Sequence, residues 1–151
     1  MSYRAADARQ EILEQVGAAI EHLGVALARL GEAYERMDER SADRLEEELF
    51  RPVQAAYGVA KRTHSTFATR HGLPDRDFAQ PSPGLPAGPR EEVDRATEEV
   101  QRAESVLSTL QDSMLPVEVG DQELRAGLAK VRELIAPVPG RAREVVRTLG
   151  R

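Results

Sequence analysis

The sequence predicts an all-α protein: a four-helix bundle made of a long helical hairpin and a second hairpin, with a short C-terminal helix. Three observations predict it. Apolar residues recur at alternating steps of four and three in two long segments, the heptad signature of packed helices. Prolines crowd into one stretch, 73–88, and otherwise stand at isolated break points. The chain has three Tyr, three Phe and no Trp, so its core must be built from Leu, Val, Ile and Ala.

The first helix is expected over Ala5 to Asp38. Its apolar positions are Val16, Ile20, Leu23, Leu27, Leu30, Tyr34 and Met37. With Ile20, Leu27 and Tyr34 at heptad position a, Val16, Leu23, Leu30 and Met37 fall at d. Position e then holds Gly17, Gly24 and Gly31, and position g holds Ala19, Ala26 and Ala33. Exposed two-stranded coiled coils carry charged residues at these flanks. A glycine inside a helix costs about 1 kcal/mol relative to alanine, so three of them at heptad spacing predict close approach of a neighbouring helix. These small residues, with Leu23 and Leu27 between them, are the expected packing and interface set.

The second helix is expected over Ser41 to His71, with Ser41 as N-cap and Asp43 near the positive helix end. Pro52 should kink or split it. Gly72 after His71, followed by Pro74, marks its end. The segment 73–88 then reads as a crossover loop. Extended at roughly 3.3 Å per residue it spans about 50 Å, the length of the first helix. Phe78 is its expected anchor. A third helix begins at Pro89 and carries the second heptad run, Val93, Ala96, Val100, Ala103, Leu107, Leu110 and Met114. Leu115 to Gly120 reads as an extended break. Asp121 reads as the N-cap of a fourth helix with the buried stripe Leu124, Leu128, Val131 and Ile135. Pro137, Pro139 and Gly140 interrupt it, and a short last helix is expected over Arg141 to Leu149.

The 151 residues suit one domain, 1–151. With no cysteine, disulfide frameworks, cysteine–zinc sites, iron–sulfur ligation and thiol catalysis drop out. The same composition fits a reducing compartment, and Met1 to Asp7 lacks the apolar core of a signal peptide. A cytoplasmic location is therefore expected. The stretch Val16 to Leu30 is interrupted by Glu21, His22 and Arg29, so no membrane span is expected. The formal net charge of -5 argues against general polyanion binding. Residues 91–121 carry nine acids against Arg95 and Arg102, while residues 122–151 carry seven bases against three acids. Docking of the basic tail on the acidic third helix is favoured over nucleic-acid binding, because no aromatic residues accompany the tail to stack on bases.

Few residues point to chemistry. His64 and His71 share a helix face but stand roughly 10 Å apart along it, too far for one metal ion with bonds of about 2 Å. Glu-x-x-His pairs and the Gly-x-x-x-x-Gly-Lys phosphate loop are missing, and no metal or cofactor is expected. Arg62, His64, Arg70 and His71 form the most polar segment and are the candidate anion or small-ligand site, although cations also belong at a helix C-terminus for electrostatic reasons. Tyr34-Glu35-Arg36-Met37-Asp38 is similar to the Tyr-x-x-x-Asp export motif of small helical type VII secretion substrates. The Trp-x-Gly turn of that family has no counterpart here, and the five-residue resemblance is not adopted. The function expected from the sequence is that of a non-enzymatic helical interaction or scaffold protein. It would be a homo-oligomer, a dimer, self-associating through its heptad-patterned helices, with a further protein partner unspecified. The alternative is a ligand-binding or enzymatic bundle using the end of the second helix.

Overall fold

A computed structural model describes residues 2–149, with side chains from residue 4 onward. The chain is all-α. Its elements are α1 (Ser2–Glu35), α2 (Glu39–Leu45), a π-helical turn (Glu46–Phe50), α3 (Arg51–Arg70), α4 (Pro89–Asp112), α5 (Leu115–Val119), α6 (Gln122–Ile135) and α7 (Val138–Leu149). Four rods make the bundle: α1; α2 with the π turn and α3; α4; and α6 with α7. The rod α1 packs most extensively on α4 and also on α3, while α3 packs on α6 and α4 on α7.

Every pair of neighbouring rods is antiparallel. Arg29 of α1 reaches Glu92 at the start of α4. Arg70 at the end of α3 reaches Asp121 and Glu123 at the start of the fourth rod, and Arg141 reaches back to Glu48. Diagonal rods are therefore parallel, and α3 and α4 are such a pair. The segment Leu73–Gly88 must climb the full bundle to join them. It does so along α1: Phe78 lies against Gly17, Pro81 against Gly24, and the Ala87 carbonyl accepts from Arg36 at 2.5 Å. From Gly17 to Arg36 is about 28 Å of helix. The chain from Phe78 to Ala87 covers about 30 Å when extended, so this strap is nearly straight.

The heptad seams close within the chain. Ile20, Leu23, Leu27 and Leu30 of α1 and Val93, Val100, Leu107 and Leu110 of α4 are at most 3% exposed. With Leu45, Leu49, Phe67, Leu128 and Ile135 they form one continuous core. Tyr34, placed at position a by the heptad, lies at the seam's frayed end and is 40% exposed. Among the described residues no helix is long and apolar enough to cross a membrane.

Three local expectations are corrected, and the break at Pro52 is made specific. The cap of the second rod falls on Asp38, not Ser41: its Oδ1 accepts the Ser41 N–H at 2.8 Å, which also holds the Asp38 carboxyl below its ordinary pKa. That makes α1 end at Glu35. Pro52 splits the α-helix by way of a π turn, with the Arg51 N–H donating to Glu46 five residues back. The wider turn relieves the clash of the proline ring with the preceding turn. Residues Leu115–Val119 form a helical turn, not an extended break, because Pro116 sits at the first-turn position where its missing N–H costs nothing. By the same argument α7 starts at Val138, with Pro139 in its first turn.

Candidate functional site

The end of α3 terminates in a Schellman motif. Gly72 adopts φ +64, its N–H donates to Thr69, and the Leu73 N–H donates to Ala68. This geometry fixes Arg70 and His71 beside the start of α6. There Asp121, 7% exposed, caps α6 by accepting the Leu124 N–H at 2.8 Å. The same carboxylate accepts a bidentate fork from Arg70, at 3.0 and 2.7 Å, and lies 2.9 Å from His71 Nε2. Arg70 Nη1 continues to Glu123 at 2.6 Å. Burial alone pushes the Asp121 carboxyl up. The hydrogen bonds from Arg70, the Leu124 amide and His71 outweigh it and leave the pKa below the ordinary carboxylate value. Arg70 and His71 border a shallow depression, but their hydrogen-bonding capacity is directed inward, onto Asp121.

His64 is in a different environment. It is 4% exposed, with the edge of Phe78 against its ring at 5.0 Å. Its Nδ1 stands 3.6 Å from an Asp75 oxygen and makes no hydrogen bond. Burial lowers its pKa, against the raising effect of Asp75. The Ser65 hydroxyl donates to Asp75 at 2.8 Å, not to either imidazole. Arg62 is exposed on a third side, its guanidinium over Gly58. The four residues thus occupy three separate surroundings and line no common cavity. Among the described residues no group of three or more His, Asp or Glu is placed to hold a metal ion.

The small residues of α1 divide by flank. Ala19, Ala26 and Ala33 are fully buried. Helical spacing puts them on the side that sends His22 to Glu99 and Arg29 to Glu92, both on α4. On the opposite flank Gly17 and Gly24 are buried under this chain's own strap. A β-carbon on Gly17 would stand 3.2 Å from Arg76 and 3.6 Å from Phe78. One on Gly24 would stand 3.3 Å from Pro81 and 3.4 Å from Tyr57. Gly31 is half-buried with nothing within 4 Å of that position. Leu23 and Leu27 lie in the core between the flanks.

Several important residues carried no sequence signal of their own. Glu92, fully buried, accepts Arg29 at 3.1 Å and the Ala87 N–H at 3.2 Å, which ties α1, the strap and α4 together. Arg132 forks onto Glu104 at 2.7 and 3.0 Å and donates to Gln111 at 2.6 Å, so the basic fourth rod meets the acidic α4 in the same chain. Two apolar side chains are turned outward at the bundle end. Met114, held at φ +69, is 52% exposed, and Val117 is 47% exposed. Comparison with protein-family models, with curated proteins and with solved structures gives no match to this chain.

Proposed function

We propose that this protein is a non-enzymatic helical interaction protein that associates with a second copy of itself through the bundle end where α4 turns into α5 beside the first turns of α1. The observation that carries the reading is Met114. A non-glycine residue in the left-handed region costs on the order of 1–3 kcal/mol and persists only where its surroundings impose it. Here it turns a flexible apolar side chain into solvent beside Val117, over half-buried Leu115 and Val119. Methionine adapts readily to a partner surface. The rim mixes signs, with Arg4, Asp7, Arg9 and Glu11 on α1 and Glu118 on α5. A two-fold axis lets bases of one copy's rim pair with acids of the other's.

The rest of the molecule supports an interaction role over catalysis by how it uses its polar groups. Asp121, Glu92 and Glu104 each bind an arginine from another rod and hold the frame rigid. The heptad seams are used inside the chain, which leaves the bundle end for a partner. A cytoplasmic location belongs to the same proposal and rests on the cysteine-free composition.

Sedimentation velocity across micromolar concentrations tests it. The wild-type protein should show a concentration-dependent dimer. The double variant Met114→Gly/Val117→Ser should sediment as a monomer, with thermal stability equal or higher because glycine accepts the left-handed backbone. A wild-type protein that stays monomeric throughout, or a double variant that dimerises equally well, rejects the reading.

A further inference from the structure

The strap does not lie flush on α1 along its whole course. Between them opens a cleft of about 310 Å³. Its walls are Ile20, Gly24 and Val25 of α1, Tyr57 of α3, and Phe78 and Pro81 of the strap. That is about twice the size of a buried apolar cavity that accepts benzene, and it lies within the range of small-molecule pockets. Gly24 forms the floor, where any side chain would crowd both Pro81 and Tyr57.

The polar groups around the cleft are few. Arg76 at the mouth lies 4.5 Å over the Phe78 ring and 3.3 Å from Glu21. Its charge is therefore balanced on one side and stacked on the other. Asp77 also stands at the mouth. Inside, the Tyr57 hydroxyl lies 3.7 Å from where a Gly24 β-carbon would stand. It makes no hydrogen bond to any described residue, and burial is the single influence on it, raising its pKa. A neutral phenol can both donate and accept. Lys61 lies over the Tyr57 ring, 4.3 Å from its centroid.

We propose that this cleft is a binding site for a small, uncharged, planar aromatic molecule bearing one hydroxyl-type polar group. Its ring lies between Tyr57 and the Phe78–Pro81 wall, and its polar group bonds the Tyr57 hydroxyl. An aromatic side chain on each wall and a proline favour an aromatic body, met edge-on or face-on. An anion would meet Glu21 and Asp77 at the mouth, and either charge would lose its hydration on entering the apolar interior. The site is independent of the bundle end and of self-association.

The test uses 2-naphthol, whose emission is read without interference because the chain has no tryptophan. The wild-type protein should bind it saturably, in the millimolar range or tighter. Tyr57→Phe should weaken binding about fivefold, the loss of one hydrogen bond. Val25→Phe, which fills the cleft from its half-buried edge, should abolish binding. Gly24→Ala, which narrows the floor, should weaken it too, so the test stays decisive if Val25→Phe does not fold. Naphthoate and naphthylmethylamine should bind at least tenfold more weakly. Absence of saturable binding overturns the proposal. So does binding that Gly24→Ala and Tyr57→Phe leave unchanged, or equal affinity for the charged analogues.

Discussion

Gly127 of α6 lies so close to Thr63 of α3 that a β-carbon on it would stand 2.2 Å from the Thr63 hydroxyl oxygen and 3.0 Å from its β-carbon. Thr63 cannot step aside easily. It is 8% exposed, β-branched, and its hydroxyl donates to the Val59 carbonyl at 2.8 Å. Here α3 and α6 approach closely because a side chain is missing.

Gly127→Ala should therefore destabilise the protein. Overfilling costs about 1–3 kcal/mol, and the gain in helix propensity returns about 1 kcal/mol. Gly31→Ala is the control. It makes the same chemical change in a helix with nothing within 4 Å and should stabilise by up to about 1 kcal/mol. Urea unfolding of the two variants should give shifts of opposite sign.

The Arg29–Glu92 pair gives a second prediction. Glu92 is fully buried, and Arg29 is 19% exposed. Removing the guanidinium with Arg29→Ala leaves a buried carboxylate held only by the Ala87 amide. The cost should be about 3 kcal/mol. Replacing both partners, Arg29→Met with Glu92→Leu, should recover most of it, because no buried charge is then left alone.

Asp121 predicts acid sensitivity of a defined sign. Its folded pKa lies below the ordinary value of 3.8. The stability it contributes is present above that value and is lost as pH falls through the folded pKa. Asp121→Asn keeps a cap acceptor but gives up the charge facing Arg70 and His71. The variant should be less stable by about 2 kcal/mol at neutral pH, and the gap should close as the solution becomes strongly acidic. Thermal melts across the acid range measure it.

His64 acts at milder pH. Burial lowers its folded pKa below the ordinary 6.5, with Asp75 pulling it back up and Arg76 adding to the decrease. The native state then binds fewer protons at this ring than the unfolded chain does. Its contribution to stability is complete above the unfolded value and declines as pH falls below it. His64→Phe should remove this decline. His22 and His71 are present in both proteins, so the difference between their stability curves from about pH 7 to 5 isolates His64.

The all-α class was legible because the heptads of α1 and α4 are long and regular, and because Gly72 and Pro74 mark a helix end in a familiar way. Asp121 could be recognised as a cap from its place before Leu124. Its larger role could not, because Arg70 and His71 arrive from fifty residues away through tertiary packing. Pro52 and Pro116 both announced a disturbance, but whether a proline kinks, widens or starts a helix depends on the turn around it. The glycines were the most ambiguous residues. Small size at Gly17, Gly24 and Gly127 implies a close neighbour in each case, yet only the fold distinguishes the strap from another helix. Gly127 had no heptad to draw attention to it.

The parallel diagonal has a consequence for how the chain is made. The principal partner of α1 is not the helix that follows it but α4, which ends at Asp112. At about 5–20 residues per second, Ile12, Leu23 and their neighbours emerge from the ribosome roughly 4 to 20 s before the surface that covers them is complete. During that interval a long amphipathic rod stands half-dressed, and holdases or premature partners compete for it.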